Sequence, residues 1–134
     1  MQLQTAARII SILKHQQQTT YITDRDGLFI TNTANSLPRH FSLNGVKNLK
    51  SEVIESARIT RNGLIWLTHP KPGVTLFDSQ TGQFSFVDIT DELGRPLDTE
   101  TGFFTFEDKN GILWIHPKGG GFSYYDFRSK KLVP

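Results

Sequence analysis

A six-residue segment that occurs twice, 48 positions apart, constrains this chain more than any other feature. Residues 62–67 read Asn-Gly-Leu-Ile-Trp-Leu, and residues 110–115 read Asn-Gly-Ile-Leu-Trp-Ile. The same separation joins Gly73 to Gly121 and Asp78 to Asp126, so the two copies align without a gap. Each copy places strand-forming residues between turn residues, which indicates that one supersecondary unit is repeated along the chain.

A third, less regular copy lies nearer the N-terminus. Gly27 precedes Gly73 by 46 positions, and Tyr21-Ile22-Thr23 is aligned with Trp66-Leu67-Thr68. Two flanking matches keep the same order: Ala7-Arg8-Ile9 with Ala57-Arg58-Ile59, and His40-Phe41-Ser42-Leu43 with Gln83-Phe84-Ser85-Phe86. A strand-rich repeat with a period in the 40s is typical of β-propeller blades. We therefore predict an all-β chain of three four-stranded antiparallel blades, part of a larger propeller, at about 6–46, 53–89 and 101–134.

Each blade is predicted to contain four strands separated by turn residues. Residues 6–14 could line one face of a helix, but their alignment with the second copy favours a strand. Asn62-Gly63 predicts a tight hairpin turn, since both residues adopt positive φ readily. The acidic residues 88–101 are predicted to connect the second blade to the third. The predicted strands are 6–14, 19–23, 28–32, 39–43, 56–60, 64–68, 74–78, 83–87, 102–107, 112–116, 122–127 and 131–133.

Composition excludes several classes of function. The 15 basic residues barely exceed the 13 acidic ones, and they form no long basic block, so a solvated surface is favoured over a nucleic-acid interface. The chain has no cysteine, which excludes disulfides and thiolate metal sites. The sequence contains no apolar run long enough to span a membrane and no usable signal peptide, so no membrane contact is expected in this segment.

The pattern Asp108-x-Asn110-Gly111-Ile112-Leu113-Trp114-Ile115, followed by Gly119-Gly120-Gly121 and then Tyr124-Tyr125-Asp126, resembles the two-component regulator propeller repeat. The resemblance covers essentially the whole chain as three repeats. It implies part of the periplasmic sensor region of a hybrid two-component histidine kinase, which detects an oligosaccharide. The tripeptides His69-Pro70-Lys71 and His116-Pro117-Lys118 depart from the small residues that the family has after the tryptophan. No kinase motif is present, so this chain is not expected to be an enzyme.

Four residues are the candidates for ligand binding: His69, Lys71, His116 and Lys118. They follow the second strands of two blades, where their side chains could bind hydroxyls or carboxylates of an acidic sugar. The competing interpretation is that they are ordinary loop residues beside a proline. No cofactor or metal is expected, because two histidines on different blades lack an acidic partner at a fixed spacing. Asp24-Arg25-Asp26-Gly27 and Asp108-Lys109-Asn110-Gly111 resemble the start of a calcium loop but are interpreted as turns.

Trp66 and Trp114 could stack on sugar rings, although their position within apolar strands favours core packing. The acidic pairs Asp91-Glu92 and Asp98-Glu100 suggest a glycosidase, but a connecting segment is a poor place to fix two carboxyl groups, and no catalytic residue is predicted. A propeller hydrolase or lyase acting on polysaccharide, and a purely structural dimerisation propeller, are the alternatives to the sensor. Three blades in an open stack leave two sheet faces uncovered. The expected partners are therefore an oligosaccharide and either further blades or a second copy of the chain.

Overall fold

The computed structural model describes residues 3–32, 35–71, 73–87, 104–110, 112–115, 123–126 and 131–133, and in these residues the chain is all β. The described strands form three four-stranded antiparallel sheets in which consecutive strands are neighbours. The first sheet contains β1 (Ile9–His15), β2 (Gln18–Thr23), β3 (Leu28–Asn32) and β4 (Asn35–Phe41). The second contains β5 (Ser56–Ile59), β6 (Leu64–Thr68), β7 (Val74–Asp78) and β8 (Gln83–Val87). The third contains β9 (Phe104–Glu107), β10 (Leu113–Ile115), β11 (Ser123–Asp126) and β12 (Lys131–Val133). Within the described residues, no helix is long and apolar enough to cross a membrane.

The pairing of the strands repeats with the sequence. Trp66 lies opposite Leu76, and Trp114 lies opposite Tyr124, so both partners are shifted by 48 positions. Phe77 opposite Phe84 becomes Tyr125 opposite Leu132 with the same shift. The second and third sheets therefore share one register, as the ungapped sequence repeat predicts, except at Ile115, where the pairing of β9 with β10 shifts by one residue.

The first sheet requires a correction to the alignment of its copy. Ile30 corresponds to Leu76 when Gly27 is matched to Gly73, and the residue opposite Ile30 is Thr20. Because Trp66 lies opposite Leu76, the counterpart of Trp66 is Thr20, not Tyr21. A shift of one residue in a strand moves a side chain to the other face of the sheet, so Tyr21 lies on the face opposite to that predicted.

The main hydrophobic core lies between the first two sheets. From the first sheet, the buried side chains of Ile22, Leu28 and Ile30 face this core. The second sheet contributes Ile65, Leu67 and Phe77, and the segment that links the sheets adds Leu43 and Ile54. Each large apolar side chain that is fully buried stabilises the fold by roughly 1.5–3 kcal/mol. Trp66 is also fully buried, which confirms its interpretation as a core residue rather than a sugar-stacking surface.

Candidate functional site

In the first two sheets, successive turns lie alternately at the two ends of the strands, so each sheet has turns at two opposite edges. The ends of β1, β3, β5 and β7 lie at one edge, called here the groove edge, and the ends of β2 and β6 lie at the opposite edge. The groove edge carries an open groove of about 500 Å³ between the turns of the two sheets. The described residues that line it are His15, Gln16, Gln17, Gln18, Asn32, Asn62, Gly63, Ser79 and Gln80.

Hydrogen bonds between sheets hold one wall of the groove. His15 is the last residue of β1, and its Nε2 lies 2.7 Å from the carbonyl oxygen of Arg61 in the β5–β6 turn. Because a carbonyl only accepts, the Nε2–H of His15 donates this bond. On the other side of the same turn, the backbone N–H of Arg61 donates to Glu107 Oε1 at 2.9 Å, at the end of β9. The turn that carries Asn62 is therefore tied to both neighbouring sheets.

The turns that supply the lining residues have defined local causes. In the β5–β6 turn, Gly63 has a φ of +88°, and its N–H donates to the Thr60 carbonyl at 2.9 Å. Only Gly63 of the Asn62-Gly63 pair has positive φ, so this turn differs from the predicted primed turn, which needs positive φ at both residues. In the β7–β8 turn, Asp78 Oδ1 accepts a bond from the Gln80 N–H at 2.9 Å. The Asn62 side chain also helps to close its turn, because its Oδ1 accepts bonds from the Thr60 hydroxyl and from the Leu64 N–H at 3.4 Å. Asn62 and Gln80 are both exposed where they line the groove.

The groove suits an uncharged, hydrogen-bonding ligand. None of the described lining residues is an aspartate, glutamate, lysine or arginine. Asparagine and glutamine amides each offer both donors and acceptors, and Ser79 adds a hydroxyl with the same double capacity. A ligand with many hydroxyl groups matches this lining, because each hydroxyl also donates and accepts. A charged ligand would find no opposite charge here.

Of the predicted binding residues, the structure describes His69 and Lys71, both at the opposite edge. His69 is fully buried; its Nδ1 lies 2.7 Å from the Val53 carbonyl oxygen and its Nε2 lies 2.7 Å from Thr75 Oγ1. Nδ1 therefore carries the proton, and Nε2 accepts from the threonine hydroxyl. Burial lowers the pKa of His69, while the bond to Val53 partly opposes this shift. His69 is thus committed to neutral contacts within the protein, and of the two residues only Lys71 is exposed.

The remaining predicted site residues lie outside the described part of the chain. These are His116 and Lys118, together with the acidic residues 91, 92, 98 and 100 of the connection that suggested a glycosidase. Among the described residues, no group of three or more histidine or acidic side chains could hold a metal ion. Of the four predicted binding residues, the structure therefore describes only His69, which is buried, and Lys71, which is exposed.

Asp108 closes a turn rather than opening a calcium loop. Its Oδ1 accepts bonds from the Asn110 N–H at 2.9 Å and the Ile112 N–H at 3.0 Å. Its Oδ2 accepts from the Trp114 indole N–H at 2.8 Å. The bond to the indole, together with the backbone bonds, lowers the pKa of Asp108. Both carboxylate oxygens are occupied by the protein, and the repeated tryptophan of the third sheet is anchored by its own turn.

The groove was missed by sequence reasoning because turns of two different sheets build it. The signal that could have found it is the glutamine run 16–18, which falls at the first hairpin between the predicted strands 6–14 and 19–23. No protein-family model matches the chain, and no curated protein matches it either. The resemblance to two-component regulator propeller repeats therefore stays a prediction.

Proposed function

We propose that this chain is part of a β-propeller that senses an uncharged oligosaccharide, with the groove between its first two sheets as the binding site. The single observation that carries the proposal is the lining of that groove, which consists of amides, a hydroxyl and one imidazole without a charged group among its described residues. Such a surface can both donate hydrogen bonds to sugar hydroxyls and accept them. An acidic sugar would lose part of the hydration of its carboxylate on binding, and no positively charged side chain among the described lining residues would replace it.

The propeller assignment is supported by the repeat of the strand register and by the way the first two sheets pack. Each sheet is a four-stranded meander, and β1 lies beside β5 as the first strands of neighbouring blades would. In this proposal the three sheets are three blades. The placement in a hybrid two-component sensor, in the periplasm and with its kinase elsewhere in the parent protein, rests on the resemblance of the repeat.

The test is a calorimetric titration of the chain with neutral tetrasaccharides of glucose, xylose and mannose, and with trigalacturonate as an acidic probe. We expect one or more neutral probes to bind and trigalacturonate not to bind. Gln17→Ala and Gln80→Ala should each weaken that binding by about five- to tenfold, because each removes a hydrogen bond worth roughly 1 kcal/mol. The exposed Lys71→Ala at the opposite edge is the matched control and should leave the affinity unchanged.

Two results would contradict the proposal. Binding of trigalacturonate that is lost in Lys71→Ala would move the site to the opposite edge, as the sequence first predicted. Failure of every neutral tetrasaccharide to bind the folded chain would remove the oligosaccharide from the proposed function.

A further inference from the structure

The outer face of the first sheet carries a row of apolar and aromatic residues across all four strands. Ile12 lies opposite Tyr21, Tyr21 opposite Phe29, and Phe29 opposite His40. Ile12 is 55% exposed, and Tyr21 is half-buried. The rings of Phe29 and His40 stack with centroids 4.3 Å apart, and Phe29 is only 3% exposed. We call these four residues the outer row.

The corresponding row of the second sheet is covered by protein. It runs from Ala57 through Leu67 and Thr75 to Phe86. Leu67 and Thr75 are fully buried, and Leu67 and Ala57 belong to the core that the first sheet covers. The face that is covered by a sheet in the second repeat is therefore only partly covered in the first, where Ile12 is exposed, Tyr21 is half-buried and Phe29 is buried.

The packing of the first sheet on the second also shows which face of a sheet covers such a row. The first sheet covers the second with the face that bears Ile22, Leu28 and Ile30. With the 46-position shift, that face corresponds to the face of the second sheet that bears Trp66 and Leu76. In the third sheet the same face holds Trp114 and Tyr124.

On that face of the third sheet, the two described side chains are less buried than their counterparts in the second sheet. The strand register places Trp114 opposite Tyr124. Trp114 and Tyr124 pack edge-on with centroids 5.5 Å apart, and both remain half-buried. At the equivalent positions of the second sheet, Trp66 is 0% and Leu76 is 9% exposed.

We propose that the outer row is an interface for a second copy of this chain, and that the Trp114-bearing face of that copy's third sheet packs on it. Each chain carries both surfaces of this contact, the outer row and the Trp114-bearing face. The packing of the first sheet on the second shows how two such surfaces fit together. A contact between two different faces is head-to-tail and forms a ring when its rotation closes. Two copies of three sheets then close a ring in which every sheet has a neighbour on both faces.

Light scattering on a sizing column tests the proposal. The chain should elute at about twice its monomer mass of 15.2 kDa at concentrations near 50 μM. Ile12→Lys places a charge in the outer row and should give a monomer. Val53→Lys, which makes the same change at an apolar residue 42% exposed outside the row, is the matched control and should remain dimeric.

A circular dichroism melt of each variant separates loss of association from loss of folding. A folded, monomeric Ile12→Lys beside a dimeric Val53→Lys is the expected result. A monomeric wild-type chain, or a dimeric and folded Ile12→Lys, would overturn the proposal; the first outcome would assign the outer row to a sheet of a longer chain instead. The titration with tetrasaccharides is independent, since none of the residues of the outer row lines the groove.

Discussion

At the end of β6, His69 joins three segments of the chain through its two ring nitrogens. Nδ1 donates to the Val53 carbonyl before β5, and Nε2 accepts from the Thr75 hydroxyl on β7. The sequence identified this histidine as polar and next to a proline, which fits an exposed ligand-binding loop. Its burial depends on residues 16 positions before it and 6 after it, and single-sequence patterns carry no signal for such contacts.

The pKa of His69 makes stability dependent on pH. In the unfolded chain the ordinary pKa of 6.5 applies, whereas burial lowers the pKa in the folded protein. Above pH 6.5 both states hold a neutral ring, so the contribution of His69 is complete. As the pH falls below this value, the unfolded chain binds a proton that the folded chain does not, and the free energy of unfolding decreases. We expect urea unfolding at pH 8 and pH 5 to show this loss in the wild type.

His69→Gln is the control for this prediction, because glutamine retains a donor and an acceptor but does not titrate. The variant should lose less stability than the wild type between the two pH values, and the difference isolates His69 from other titrating groups. Equal losses in both proteins would show that His69 is protonated in the folded state.

At the scale of strands, the strands bounded by clear turn residues were the easiest to predict. The predicted strands that agree with the structure at both ends are 28–32, 64–68, 74–78, 83–87 and 131–133, which are β3, β6, β7, β8 and β12. The predicted strand 39–43 was wrong in its bounds, because β4 begins at Asn35 and continues through Pro38 to Phe41. Proline lacks an N–H, but β4 is an edge strand and its pairing is irregular between Ile30 and Asn32.

Gly27 shows how one turn fixes the start of β3. Its φ is +64°, and a Cβ built there would lie 2.1 Å from the backbone oxygen of Phe41. Gly27→Ala should therefore cost the left-handed strain of about 1–2 kcal/mol and, in addition, the displacement of β4. Gly45→Ala is the matched control, since Gly45 has a φ of +88° with no atom within 4 Å of its built Cβ.

Urea unfolding of the two alanine variants measures the difference. We expect Gly45→Ala to lose only the strain energy and Gly27→Ala to lose at least about 1 kcal/mol more. Similar losses would mean that β4 moves aside freely and that the close approach at Gly27 has no energetic consequence.

At the scale of the whole molecule, the sequence repeat predicted the sheets but not the contacts between them. The 48-position period reappears in the strand register, because the same residue types occupy the same positions in each sheet. The contacts of Arg61 follow the repeat in position but not in residue type. His15 and Glu107 each lie 46 positions from Arg61, and each is the last residue of the first strand of its sheet. One is a histidine and the other a glutamate, so no repeated residue type marks these contacts in the sequence.

Glu107 is the residue whose loss should loosen the second sheet from the third. Its side chain is 11% exposed, and Oε1 accepts from the backbone N–H of Arg61 at 2.9 Å. The Arg61 guanidinium also donates to the Glu107 carbonyl at 3.2 Å, a contact that side-chain substitution leaves in place. Glu107→Ala should cost about 1 kcal/mol and increase hydrogen exchange at the Arg61 amide. Glu107→Gln keeps an acceptor oxygen and should keep most of that protection.

Hydrogen exchange followed by NMR distinguishes the two variants at a single amide. Suppose that Glu107→Ala speeds exchange at the Arg61 amide and also weakens tetrasaccharide binding. The bond between Glu107 and Arg61 then supports the wall of the groove that Asn62 forms. If Arg61 exchanges equally fast in the wild type, Glu107→Ala and Glu107→Gln, the bond does not hold the sheets together in solution. The Arg61 turn would then be held by the bond from His15 and by the bond from the Arg61 guanidinium to the Glu107 carbonyl.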